Sequence, residues 1–145
     1  GMGVRDVSAL ASCAALHTLN LDNCKKLTDV SALAGCAKLH TLVLSRCHGL
    51  MDVSLAGCAS LHTLDLKGCT ELTDVSGLAG CPMLHKLDLR DNKRLTDVSV
   101  LASCAMLRTV ELRGCDGVAD MSTLTAAGIW FQKSYDIGGP SWAWE

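Results

Sequence analysis

His17, His40, His62 and His85 recur down the chain, with Arg108 in the next equivalent place, and nine cysteines recur beside them. Imidazoles near thiols raise the question of zinc, and the presence of Ser, His, Asp and Cys raises that of a nucleophile. A zinc site needs about four ligands converging tetrahedrally on one point. These side chains are instead spread along the sequence at near-constant intervals, with no Cys-x-x-Cys, no His-x-x-x-His and no local cluster. A nucleophile should be singular, with its own base and oxyanion donors, yet every candidate here sits at a position that the same residue fills elsewhere. No Gly-x-x-x-x-Gly-Lys loop or Gly-x-Gly-x-x-Gly fingerprint occurs. The reading is therefore a non-enzymatic chain with no cofactor and no metal. Imidazoles stacked about 5 Å apart would resist charging together, so a pH response is the alternative use of the histidine column.

The charged residues are more informative. A short pattern, Leu-x-x-Leu-x-Leu-x-x-Cys, begins at Leu16 and recurs at Leu39, Leu61, Leu84 and Leu107. Its third position holds Thr18, Thr41, Thr63, Lys86 and Thr109, its fifth Asn20, Val43, Asp65, Asp88 and Glu111, and its seventh Asp22, Ser45, Lys67, Arg90 and Arg113. Residues two apart share a strand face, so Asp65 with Lys67, Asp88 with Arg90 and Glu111 with Arg113 are expected to pair along each strand and diagonally between strands. Such a face is either a charge-patterned docking surface for a protein or peptide, or a solvated sheet that neutralises itself. Exposed pairs contribute only about 0 to 1 kcal/mol each. The residues assigned to docking are Asp65, Lys67, Lys86, Asp88, Arg90, Glu111 and Arg113.

What positions these rows is an internal repeat. Asp6, Asp29, Asp52, Asp74, Asp97 and Asp120 are spaced by 23, 23, 22, 23 and 23 residues, a period that marks a solenoid whose units bury apolar area only against their neighbours. In Leu42-Val43-Leu44 the alternation sends the two leucines to one side of a strand and Val43 to the other. Repeated every coil, it builds a parallel sheet with strands about 4.8 Å apart. Between Cys24 and Leu39 there is room for a turn at Lys25-Lys26, inward Leu27 and Val30, and about one helical turn from Ser31 to Gly35. Asp29 and Ser31 suit the start of that turn as caps, and Gly35, Gly57 and Gly80, or Ser12 and Ser103, suit its release. Unit three, Met51-Asp52-Val53-Ser54-Leu55, is one residue short, a deletion that the outer turn should absorb.

The pattern resembles leucine-rich repeats over about residues 4 to 126. Cys24 to Asp29, Cys-x-x-Leu-Thr-Asp, looks like the cysteine-containing repeats of F-box substrate receptors. The Asp-Val-Ser-x-Leu-Ala segment is similar to the 22-residue repeats of internalins and phosphatase regulators, and to leucine-rich proteins of trypanosomatids. The resemblance implies an α/β, right-handed solenoid with a concave parallel sheet and a convex side of short 3-10 or one-turn helices. Residues 1–126 then form the solenoid, five strand-bearing repeats and a partial sixth. Residues 127–145 hold all five aromatics, Trp130, Phe131, Tyr135, Trp142 and Trp144, as a cap over the last coil, placed through about Ile137, or as a tail.

Composition sets the remaining bounds. With 49% apolar and 19% charged residues the chain can fill a core. A net charge of -2 predicts attraction to neither nucleic acid nor an anionic membrane. No run of about 18 apolar residues offers a membrane span. The first residues lack a signal-peptide pattern, and Gly1 ahead of Met2 reads as a residue left by tag removal. The cysteines form two columns, Cys13, Cys36, Cys58, Cys81, Cys104 and Cys24, Cys47, Cys69, Cys115, with Asn92 in the vacant place. They read as small, reduced core residues of a cytoplasmic protein. The expected function is binding of an unidentified protein or peptide through the concave sheet. The alternatives are a structural solenoid fragment that self-associates through an uncapped N-terminal end exposing Leu10, Leu16, Leu19 and Leu21, and a regulatory or substrate-recruiting subunit of a signalling or ubiquitin-ligase complex.

Overall fold

The computed structural model describes residues 3–133. Each coil contributes one three-residue strand: Thr18–Asn20 (β1), Thr41–Val43 (β2), Thr63–Asp65 (β3), Lys86–Asp88 (β4), Thr109–Glu111 (β5) and Trp130–Gln132 (β6). They pair in parallel in chain order, and every residue faces its counterpart one coil on. Leu19, Leu42, Leu64, Leu87, Val110 and Phe131 thus form one row across the sheet. A sheet face can be lined by one residue type only if register never slips, and the inward leucines enforce this, because a one-residue slip would turn all of them out to solvent. From coil two onward Leu39, Leu42 and Leu44, and their counterparts in coils three and four, are essentially fully buried. Each stabilises the fold by about 1.5 to 3 kcal/mol.

The cysteines do more than occupy volume. Cys47 Sγ donates to Leu21 O at 3.2 Å, Cys69 to Leu44 O at 3.1 Å and Cys115 to Leu89 O at 2.8 Å. In the other column Cys36 donates to Leu10 O, Cys58 to Leu33 O, Cys81 to Leu55 O and Cys104 to Leu78 O, at 3.2 to 3.5 Å. Each of these thiols thus reaches back to a carbonyl of the preceding coil, and most of those carbonyls also accept a backbone N–H of their own coil, so the sulfur uses the second lone pair to tie one coil to the next. Asn92 fits the column for the same reason, its Nδ2 donating to Leu66 O at 2.9 Å and Leu89 O at 2.7 Å. Burial pushes the Cys69 and Cys81 thiols up to about 12, so they remain protonated donors.

On the convex side, 3-10 turns span Ser8–Leu10, Ser31–Gly35, Ser76–Gly80 and Ser99–Ser103, and the sixth unit forms a short α-helix, Ser122–Ala126 (α1). The repeated Asp caps the first amide of these turns, as expected, from the residue before the N-cap, and Ser31 is the donor in that contact rather than a second cap. Valine (Val30, Val75, Val98) occupies the N-cap, and Asp29 Oδ1 accepts from Ser31 N at 2.8 Å, as do Asp74 and Asp97 from Ser76 and Ser99. The glycines ending the turns also act differently from expectation. Gly35, Gly57 and Gly80 do not adopt left-handed backbone. A Cβ on Gly35 would lie 2.1 Å from Ala11 O, and one on Gly57 2.2 Å from Ala34 O. They let neighbouring turns stack in near contact. The left-handed residues are instead Asn23, Arg46, Gly68, Asp91 and Gly114, at the turns that end β1 to β5, and Gly128, just past the end of α1.

The short third unit absorbs its deletion on the convex side. It has no 3-10 turn, Leu55 remains fully buried, and Asp52 pairs with Asp74 as an isolated parallel bridge. Gly77 follows directly from this: a Cβ there would stand 1.9 Å from Val53 O, and the equivalent residues of other coils are Ala9, Ala32, Val100 and Thr123. Trp130 and Phe131 lie in β6, whereas Tyr135, Ile137, Trp142 and Trp144 lie outside the described residues.

Candidate functional site

The strands present their third- and fifth-position side chains on the sheet's outer face. Register aligns Thr18, Thr41, Thr63, Lys86, Thr109 and Trp130 in one row and Asn20, Val43, Asp65, Asp88, Glu111 and Gln132 in the next. The seventh-position residues follow at the strand ends.

Three of the seven residues assigned from sequence lie in the acidic row, and their surroundings differ. Arg90 folds back on Asp88, Nε lying 3.0 Å from each carboxylate oxygen and Nη2 2.6 Å from Oδ2. Arg113 Nη2 lies 2.7 Å from Glu111 Oε2, close enough for ion pairing but off-axis for a hydrogen bond. Both pairs run along the strand, as expected. The Glu111 pair is not the exposed, weakly contributing one anticipated: Glu111 is 1% exposed, as is Thr109, and Asp88 8%. A carboxylate at that depth is costly to leave without its cation. The third expected pair does not form. Asp65 accepts the Lys67 backbone N–H at 2.9 Å, but no ion pair joins it to the Lys67 ammonium among the described residues. Its pKa is raised, by burial first and by neighbouring Asp88 next. Lys86 stands in the threonine row beside Thr63 and Thr109.

The acidic row also has a backbone role that the spacing did not announce. Asn20, Asp65, Asp88 and Glu111 each accept the amide N–H two residues on, the same i to i+2 contact that Asp29 makes with Ser31. The signal was present in the recurring acceptor-x-x spacing but was indistinguishable from a charge pattern. Nearer the first strands, Asp22 accepts Ser45 Oγ at 2.7 Å and Arg46 Nε at 3.1 Å. The Arg46 contact first, then Ser45, holds its carboxyl down at about 2.

The histidines form the expected column at the rim of this face. Ring centroids of His17 and His40 are 5.0 Å apart, of His40 and His62 4.7 Å, and both pairs are near parallel. Nδ1 of each of these three rings contacts Oγ1 of the following threonine, at 3.3, 3.1 and 2.9 Å. Where Lys86 replaces threonine that partner is lost, and His85 tilts 59° and donates to Met106 O at 3.2 Å instead. Ligands in a line do not surround one ion.

A leucine-rich repeat family model matches residues 57–79 and 80–102. Internalin C2 of Listeria monocytogenes superposes with a TM-score of 0.69 at 26% identity, over 90% of this chain and 57% of its own. Internalin F of the same organism gives 0.57 at 22%, over 89% and 44%, and the leucine-rich repeat domain of the type III effector XopL gives 0.58 at 22%, over 90% and 57%. This chain therefore spans roughly half the length of those solved chains. No curated protein sequence matches it. Leucine-rich repeat solenoids are typically protein-interaction modules. The recurring period, the short in-register strands, the stacked convex turns, the family matches and the solved neighbours agree, and the chain folds as a leucine-rich repeat solenoid.

Proposed function

We propose that this solenoid is a non-catalytic module that docks a protein or peptide on its concave sheet, around Asp65, Lys67, Lys86, Arg90 and Arg113, with buried Asp88 and Glu111 ion-paired to the two arginines rather than meeting the partner. One observation carries the reading. Inward positions repeat almost without change from coil to coil, whereas the outward fifth position runs Asn20, Val43, Asp65, Asp88, Glu111, Gln132 across one continuous sheet. Repetition is what packing needs, and coil-to-coil variety on a shared face is what a specific partner reads. The test is affinity capture with mass spectrometry, repeated with a Thr41→Arg, Lys67→Glu variant and with Lys26→Glu on the far side. Partners lost with the first variant and kept with the second support docking here; the reverse pattern, or capture unaffected by either, moves the site elsewhere.

A second reading, self-association, has its own support. β1 is bonded to a neighbour on one side only, and Val4, Leu10, Cys13, Leu16 and Leu19 beside it are only partly buried. Light scattering at several concentrations decides it: mass rising with concentration favours the reading, and a constant monomer mass removes it. The thiol-to-carbonyl contacts need reduced sulfur, which favours a reducing, cytoplasmic-type compartment.

A further inference from the structure

Three of the four sheet-face carboxylates already have a cation. Asp22 has Arg46, Asp88 has Arg90 and Glu111 has Arg113. Asp65, in the middle of the row, has only a backbone amide hydrogen bond among the described residues. The attraction of Arg90 reaches it, but that guanidinium is forked onto Asp88. Burial and the neighbouring Asp88 charge leave the Asp65 carboxylate less comfortable than in water. Its row partner on the other side is half-buried Val43, an apolar seat for an aliphatic stem, and Thr41 and Thr63 offer hydroxyls in the adjoining row.

We infer that Asp65 is the anchor for a basic side chain, an arginine or lysine, of the protein segment that occupies the concave face. The inference rests on the docking reading above and specifies its partner chemistry. An incoming arginine lays its stem on Val43 and donates to both Asp65 oxygens, Oδ1 accepting it beside the Lys67 N–H as Asp88 Oδ1 accepts both Arg90 N and Nε. The charge then has an opposite at the one point in the row where, among the described residues, the chain supplies none. Arginine suits the site better than lysine, because a planar fork engages a carboxylate with two parallel bonds and is less strongly hydrated.

The experiment pans a displayed random heptapeptide library against the whole chain and measures one synthetic winner by calorimetry. Winners should carry arginine or lysine at one fixed position. Asp65→Asn, which keeps the acceptor for Lys67 N, should weaken binding by about tenfold or more. Replacing the peptide's basic residue by glutamine should do the same, and the two changes together should cost little more than either alone. If Thr41→Arg and Ser45→Arg abolish binding while Asp65→Asn does not, or winners show no basic residue, the Asp65 assignment fails and concave docking stands. If those two arginine variants leave binding intact, the peptide sits elsewhere and the docking reading itself fails. A library that yields no binder overturns both. Circular dichroism of each variant confirms that the coils are intact.

Discussion

Glu111 and Asp65 stand two strands apart in one row, and the fold has treated their charges in opposite ways. Glu111 is sealed in while its partner Arg113 stays about a quarter exposed, so truncation to alanine removes a buried carboxylate together with its ion pair and its hydrogen bond to the Arg113 amide. The expected cost is about 1 to 3 kcal/mol, read as a lower urea midpoint. Asp65 has the raised pKa of a carboxylate that folding disfavours, so Asp65→Asn should leave the midpoint unchanged or raise it slightly. A large loss with Asp65→Asn would show that its charge is already balanced within the chain. Asn92 marks a further contrast at this scale. Its amide supplies the donors a thiol supplies elsewhere, but Oδ1 is buried without a hydrogen-bond partner.

The turns and strands show how one coil constrains the next. Gly77 is needed because unit three is short and Val53 O occupies the space a Cβ would take. Gly77→Ala should therefore destabilise by about 1 to 3 kcal/mol, as overpacking does. Inserting one alanine after Ser54, which restores the common repeat length, should relieve most of that loss. Thermal melts of the two single variants and the double variant check this; additive effects would show that the deletion and the glycine are unconnected. Much of this scale was legible in the sequence: Leu42 and Leu44 alternating about Val43 give the strand, and the recurring Asp gives the coil length. The Ser31–Gly35 turn followed from the short return path. What could not be read were contacts between coils. Gly57 looked like a turn terminator because composition does not say that Ala34 O lies against it. Asp65 and Asp88 looked equivalent because spacing does not say which cation folds back.

Across the whole molecule the sign of pH dependence is set by groups that repeat. Burial, and then neighbouring cationic groups (His85, His40 and Lys86 for His62, Lys86 and Arg108 for His85), hold both imidazoles below their ordinary value. The unfolded chain therefore binds protons first, and this contribution to stability, full above about pH 6.5, is lost as pH falls through that region. Hydrogen bonds from the serines two residues on depress Asp6, Asp29, Asp74, Asp97 and Asp120. Their contribution is present above about pH 4 and is lost below it, with Asp65 opposing in part. Urea titrations between pH 8 and pH 3 should show two successive declines, and His62→Gln should shrink the first while leaving the second; a profile flat from pH 8 to 5 would contradict the assignment. The thiol contacts carry a consequence for ancestry. Since each unit brings both a sulfur donor for the unit before it and a carbonyl for the unit after, an in-frame duplication of one unit's codons would arrive already fitted at both seams. Lineages of such chains can lengthen or shorten by recombination without a new interior having to be invented.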